Sequence, residues 1–417
     1  MQVRKRKFTY IDLFSGGGGL SEGFLSAGFN PVAHIEMDYE ACLTLKTRLC
    51  YHYLRKNNIY SNYLLEEINR EQLYSSVPHY ELDSVINQTM SKKTMPEIFR
   101  KIDDLMEKQQ TATVDLITGG PPCQAYSLVG RAVTSDKMKN DSRNYLYLLY
   151  CRVLKKYQPK MFVFENVPGL LNANAGKYYK NMKMAFKRVG YNVHSKILNA
   201  YDFGVLQNRR RVILIGWKKG SNYEYPQFAK TSMSYTVSDL FCDLPIIQAG
   251  ETKNSYLFED VGGYLEDFGI RSKGDILTWN TARPHINRDK EIYRKVIHTW
   301  NQEKRRLKYS ELPESLKTHK NVTSFLDRYK VVASDLPATH TMMAHISKDG
   351  HYFIHPDIDQ ARSITVREAA RIQSFPDNFY FEGSRTSALT QIGNAVPPLM
   401  ARGLAYGILE ELERKDK

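Results

Sequence analysis

Between residues 8 and 217 the chain alternates short apolar stretches with segments of helical length. Tyr10-Ile11-Asp12-Leu13-Phe14, Pro31-Val32-Ala33-His34-Ile35, Val114-Asp115-Leu116-Ile117, Met161-Phe162-Val163-Phe164 and Val212-Ile213-Leu214-Ile215 are all strand-sized. Strands that alternate with helices imply βαβ crossovers, hence an α/β fold with a mostly parallel sheet. Residues 51–101 are polar and show no obvious strand, so they read as a peripheral helical insertion without chemistry of its own. From about 218 to 355 the rhythm breaks: turns crowd in, Trp279 and Trp300 appear, and Lys304-Arg305-Arg306 sits among aromatics. Helical patterning returns after Gln360. Thr365-Val366-Arg367-Glu368-Ala369-Ala370-Arg371-Ile372 is amphipathic, and 393–412 predicts a final helix. A late return to helix suggests that the C-terminal segment packs back on the first domain. The expected division is therefore 1–217 with 356–417, and a smaller inserted domain at 218–355.

Composition narrows the classes. Of 417 residues, 42% are hydrophobic and 12% aromatic, enough for a core and too many for a solvated, disordered chain. No apolar stretch approaches membrane-spanning length, and no apolar segment follows the basic residues of the N-terminus. Cys42, Cys50, Cys123, Cys151 and Cys242 form no CxxC pair, which fits free thiols in a reducing compartment. Lysine and arginine number 59 against 45 acids, a net charge of +14, which favours a polyanionic partner.

Four segments carry candidate chemistry. Phe14-Ser15-Gly16-Gly17-Gly18-Gly19-Leu20 follows a strand and opens a helix, where backbone N–H groups meet a ligand's polar atoms. Glu36 ends the next strand, placed to accept from a ribose diol. No Lys-Ser/Thr follows the glycines, which argues against a nucleotide-triphosphate loop. Cys123 stands in Gly119-Gly120-Pro121-Pro122-Cys123-Gln124, at a strand's C-terminal end where ligands of open sheets bind. Glu165 ends another apolar strand, and apolar neighbours there would favour its protonated form. Gln207-Asn208-Arg209-Arg210-Arg211 precedes the Val212 strand and offers guanidinium groups to anions or bidentate acceptors. His340, His345, His351 and His355 cluster in sequence, but their spacing and the lack of a partnering cysteine argue against a metal, and none is expected.

These segments, with Asp12-Leu13-Phe14-Ser15-Gly16-Gly17-Gly18-Gly19, Glu165-Asn166-Val167, Arg362-Ser363-Ile364-Thr365-Val366-Arg367-Glu368 and Gln391-Ile392-Gly393-Asn394-Ala395-Val396-Pro397-Pro398, occur in the order of the motifs of C5-cytosine DNA methyltransferases. The chain resembles that family, of the bacterial modification methylase type, over roughly 8–217 and 356–410. The resemblance implies a Rossmann-like methyltransferase domain bound to S-adenosylmethionine, with S-adenosylhomocysteine as product, and an inserted target-recognition domain. It implies Cys123 as nucleophile, Glu165 on N3 and the exocyclic amine of the cytosine, Arg211 on its O2, and Arg209 bracing the catalytic loop. It places the cofactor on Phe14, Gly16, Gly18, Glu36, Pro122, Leu146, Asn394 and Val396. Asp104 (or Asp103), beside Leu105, would meet the adenine amine. Met37 stands where relatives often carry an aromatic residue, so one wall of the pocket differs. The stretch between Glu36 and Asp104 is also longer than in compact members.

Cytosine C5 is a poor nucleophile until a thiolate adds at C6, and both atoms lie inside the duplex, so the base must be flipped out. Gln124, Ser127, Asn280, Arg283, His285 and Arg288 are the candidate DNA contacts, from the nucleophile's loop and from the middle zone. Double-stranded DNA, a separate cognate restriction endonuclease, a cytoplasmic, nucleoid-associated monomer and no membrane complete the expectation. A tRNA cytosine-C5 methyltransferase, a non-catalytic DNA-binding paralogue and a NAD-dependent dehydrogenase are the alternatives. The long middle zone argues against the first, the presence of Cys123 and Glu165 against the second, and the missing G-x-G-x-x-G against the third.

Overall fold

The computed structural model describes residues 8–55, 57–122, 145–317 and 326–415. Its strands are β1 (Thr9–Leu13), β2 (Asn30–Glu36), β3 (Val85–Asn87), β4 (Leu116–Gly119), β5 (Met161–Asn166), β6 (Tyr191–Asn199) and β7 (Arg210–Lys218). They form one seven-stranded sheet in the order β3-β2-β1-β4-β5-β7-β6. Pairings from β3 through β5 are parallel, while β7 runs antiparallel to both β5 and β6. The helices of the first half are α1 (Gly19–Ser26), α2 (Tyr39–Tyr53), α3 (Ile59–Leu64), α4 (Arg70–Ser75), α5 (His79–Asp83), α6 (Met95–Lys108), α7 (Leu146–Tyr157) and α8 (Lys177–Arg188). Later come α9 (Gly263–Asp267), α10 (Asn287–Glu303), α11 (Val366–Ile372), α12 (Arg385–Asn394) and α13 (Pro398–Lys415).

Strand alternation sorts the core onto two faces. Tyr10, Leu116, Met161, Val163, Ile213 and Ile215 bury against α1 and the C-terminal helices. Ile11, Leu13, Ile117, Phe162, Phe164, Val212 and Leu214 face α6, α7 and α8 on the other side. The C-terminal return expected from the sequence is intimate: a Cβ on Gly23 of α1 would meet the Ala401 carbonyl carbon of α13 at 2.4 Å. Residues 237–270 join this first core through Val237, Leu240, Tyr264, Leu265 and Ile270. A separate cluster forms around Ile292, Tyr293, Val296, Tyr309 and Tyr329, while Val332, Met342, Ile346 and Phe353 of the middle zone belong to the first core.

Three sequence expectations change. The 51–101 stretch is not wholly helical or peripheral, because it contains β3, an edge strand of the sheet. The predicted amphipathic helix around 365–372 is buried on every side as α11. Its charged face meets no water: Arg371 bonds Asp243 and Asp377, and Arg362 bonds Glu368. Breaking one such buried pair leaves an uncompensated charge, costing about 3–5 kcal/mol. The final helix is two helices, α12 and α13, because Pro397 and Pro398 favour extended backbone in the residue before each.

Candidate active site

The C-terminal ends of β1, β2, β4 and β5 open into a cleft of about 2160 Å³, the position at which open α/β sheets bind ligands. At the end of β1 the chain reverses sharply. Phe14 takes a φ of +57° and Gly18 a φ of +89°, a strained conformation for an aromatic side chain and a ready one for glycine. Glu36 holds this turn from β2. Its Oε2 accepts from the Gly16 N–H at 2.8 Å, and its Oε1 accepts from the N–H groups of Met37 and Asp38 at 2.8 Å each. Of about four lone-pair positions on a carboxylate, one is left for a ligand. Phe14, Gly16, Glu36 and an exposed Met37 line the cleft together with Leu146, Asn394 and Val396.

The C-terminal return shapes the same cradle. A Cβ on Gly19 would lie 2.4 Å from the Val396 carbonyl oxygen, and one on Gly17 would lie 2.8 Å from Gln391 Oε1. Asp12 Oδ2 and Gln391 Oε1 are among the polar atoms of cleft-lining residues that are buried without a hydrogen-bond partner. Asp12 Oδ1 accepts from the Thr118 hydroxyl at 2.7 Å, but burial pushes the carboxyl up to about 7. The folded protein thus holds this proton more tightly than the unfolded chain, whose ordinary value is 3.8. The penalty for ionising Asp12 is absent below about pH 4, grows between 4 and 7, and is complete above 7. Asp12→Asn is expected to add about 2 kcal/mol of stability at pH 8 and almost none at pH 4. Denaturant unfolding at the two pH values checks this; an equal gain at both would contradict it.

On the next strands the chemistry gathers. Gly120 allows a close approach, since a Cβ there would meet Glu165 Oε2 at 2.6 Å. Asn166 Nδ2 donates to the Pro121 carbonyl at 3.3 Å, tying the end of β5 to the loop that leads to Cys123. Pro121 and Pro122 line the cleft; Cys123, Gln124 and Ser127 lie outside the described residues. Glu165 does not see the purely apolar setting expected of it. β7 runs beside β5 and brings Arg211 against it, Nε to Oε1 at 2.7 Å, both side chains largely buried and both in the cleft wall. Arg209 also lines the cleft, and its guanidinium donates to the carbonyls of Met342, Gly393 and Ala395. It braces the C-terminal return. Gln207 adds to the bracing through Met342 and Gln373.

Other expected residues fall elsewhere. Asp104 is half-exposed on α6 and pairs with Arg100 four residues earlier, Asp103 binds Lys156 and Tyr157, and Leu105 is core. None of the three lines the cleft. The segment after β3 does: Gln88, Thr89, Met90, Ser91 and Lys92. Gln88 Nε2 donates to Glu97 at 2.6 Å, which leaves Oε1 buried without a partner. Asn280 is wholly buried, its amide joined to the Lys253 carbonyl and the Thr365 hydroxyl, so it presents nothing to a base. His285 Nε2 contacts Ser363 Oγ at 3.0 Å, and burial lowers its proton affinity to about 4. Arg283 is partly exposed and Arg288 exposed. Of the four histidines, His340 bonds the Tyr352 carbonyl, His351 the Tyr293 hydroxyl and His345 Asp349, while His355 lies 3.6 Å from Glu368.

A strained aromatic–glycine turn, a carboxylate that holds it from the next strand and a largely buried acid–guanidinium pair thus share one cleft. Comparison with known proteins is specific. The chain matches the family model of C-5 cytosine-specific DNA methylases over residues 8–78 and 62–410, and it belongs to that family. It is 44% identical to the type II methyltransferase M.Bpa9945I of Bacillus paralicheniformis, over 95% of this chain and 98% of the relative. It is 31% identical to M1.HphI of Haemophilus parahaemolyticus, over 96% and 87%. Among solved structures it superposes on one from E. coli named for DNA modification by a prophage-encoded methyltransferase. There the TM-score is 0.64 at 24% identity, covering 98% of this chain and all of the other. The enzyme class is thus DNA cytosine-5-methyltransferase. Among the described residues no helix is long and apolar enough to cross a membrane.

Proposed function

We propose that this chain transfers a methyl group from S-adenosylmethionine to C5 of a cytosine flipped out of a specific duplex DNA sequence. A transient bond from Cys123 to C6 makes the transfer possible, and the chain serves as the modification enzyme of a type II restriction–modification pair. The observation that carries the reading is the Glu165–Arg211 pair in the wall of the cleft that also holds the glycine turn.

The cradle fits the cofactor. A Cβ on Gly16 would meet nothing within 4 Å, so the turn is open on the cleft side, and Gln391 Oε1 and Gln88 Oε1 are buried acceptors without donors. Bound there, S-adenosylmethionine supplies an electrophilic methyl group and leaves as the thioether. Phe14, Gly16, Glu36, Met37, Leu146, Asn394 and Val396 hold it, with Glu36 on the ribose; Gly18, expected beside them, gives the turn its positive φ but does not line the cleft. Gln88 takes the place given to Asp104: Glu97 fixes its amide with the acceptor oxygen left over for an adenine amine.

The Cys123 thiolate adds to C6, and its electron pair becomes the new C–S bond while the ring's electrons move toward C5 and N3. Glu165 supports N3 and the exocyclic amine, and Arg211 steadies O2. C5 then takes the methyl group; afterwards a base, water for example, removes the C5 proton, the C–S electrons return to sulfur and the ring double bond is restored. The 51–101 stretch contributes the cleft wall after β3, and the middle zone with its net basic clusters faces the duplex, where phosphate contacts supply affinity and base contacts supply sequence.

Bisulfite sequencing of plasmid DNA from cells expressing the chain tests this. The expected result is 5-methylcytosine at one position of a single short sequence. Unmodified DNA together with a methylated tRNA would transfer the assignment to RNA.

A further inference from the structure

We propose that Arg328 reads a guanine of the recognised duplex, its guanidinium donating to O6 and N7 in the major groove. This rests on the proposed methylation of a cytosine within a specific duplex sequence. Arg328 belongs to the middle zone and lines the same cleft as the glycine turn and the Glu165–Arg211 pair. Its guanidinium carbon stands over the ring of Tyr309, 5.0 Å from the centroid. Tyr309 is itself buried in the separate cluster with Ile292 and Tyr293, so the platform is anchored in a core. The Nε of Arg328 is shut off from water and meets no acceptor. The adjacent carboxylate, Asp327, is taken by Arg306 and Lys330. Among the described residues no ion pair holds the guanidinium, and its terminal amino groups are left for a ligand. Stacking on a fixed ring sets the plane of the fork before DNA arrives, so less side-chain freedom is lost on contact.

The wall around Arg328 favours a base edge over a phosphate. Asp349, His351 and Tyr352 line the cleft with it, and Arg328 and Asp349 both stand close enough to His351 and Tyr352 to act on them. Two histidines of the sequence cluster hold the Asp349 carboxylate: Oδ1 accepts from the His351 N–H at 3.2 Å, and Oδ2 lies 3.2 Å from His345 Nε2. His351 is held in turn by the Tyr293 hydroxyl, 2.8 Å from its Nδ1. No ion pair joins Asp349 to Arg328 among the described residues. A phosphodiester here would meet the carboxylate's like charge as well as the guanidinium. A base edge carries no net charge and sets donors beside acceptors. Guanine O6 and N7 match the guanidinium fork, and a neighbouring carboxylate suits the N4 amine of cytosine.

The test uses the full chain, S-adenosylhomocysteine and fluorescent duplexes carrying the methylated sequence. Each guanine in turn is replaced by 7-deazaguanine, which lacks the N7 acceptor. In the wild type one replacement is expected to weaken binding about tenfold. Arg328→Gln should bind the unmodified duplex about tenfold more weakly, and replacement of that guanine should then cost nothing further, because both changes remove one contact. Other replacements should cost the variant what they cost the wild type. Bisulfite sequencing should show the variant methylating sequences altered at that one position. A penalty that persists in the folded variant overturns the proposal, as does a wild type indifferent to every replacement. So does a loss uniform across sequences with a salt slope shallower by about 0.9, which would assign Arg328 to a phosphate. If Arg328→Gln melts lower than the wild type, Arg328→Met, which keeps an apolar stem on the Tyr309 ring, decides by the same cycle. Wild-type protein that methylates no DNA cytosine would instead defeat the proposed function, a different result from any of these.

Discussion

Cys123→Ser is expected to lower methyl transfer by roughly 10⁴-fold or more while leaving cofactor and duplex affinity within about threefold. A hydroxyl is nearly the size of a thiol, so the loop is little disturbed. It is a far weaker nucleophile at neutral pH, because so little of it ionises. Without addition at C6, C5 keeps its aromatic electron distribution and does not attack the methyl group. Single-turnover assays with tritiated cofactor measure the rate, and filter binding measures the duplex. Retention of more than a tenth of the wild-type rate would mean that another group adds to the ring.

Glu165→Gln has the second largest expected effect, a fall in kcat of about 10²–10⁴-fold with little change in cofactor affinity. Glutamine preserves shape and can still hydrogen-bond, but it cannot hold or supply a proton at N3 as charge enters the ring. It also leaves Arg211, 2.7 Å away and largely buried, without its countercharge. A loss of about 1–3 kcal/mol of stability should therefore accompany the catalytic loss. Rates must be compared at a temperature where both proteins are fully folded. A folded variant with near-normal kcat would show that the carboxyl positions Arg211 and does no more.

Much of this site could be read from the sequence, because its parts sit where strands end. The glycine turn, Glu36, the Pro121-Pro122 loop, Glu165 and Arg211 each adjoin an apolar stretch whose period fixed their place on the sheet. What the sequence hid has physical causes. β3 is only three residues long and follows short helices, so no run of apolar residues announced it. The cleft segment from Gln88 to Lys92 was invisible for the same reason. Asp104 was pointed to by the family resemblance, yet its charge forms an i,i+4 pair on the exposed face of α6. Asn280 looked like a base reader because polar residues in an irregular segment resemble one another. Only packing shows that its amide closes a contact between 253 and 365. The all-buried character of α11 was equally hidden, since Arg367 and Arg371 look solvated until Asp377 and Asp243 are seen beside them.

The most direct measurement is intact-mass spectrometry of the wild-type protein incubated with S-adenosylmethionine and a duplex carrying 5-fluorocytosine at the target position. Fluorine cannot depart as the proton does, so the account requires a stable species of protein plus methylated strand, with the bond mapped by proteolysis to the sulfur of Cys123. Free protein alone, or a bond to any other residue, would contradict it.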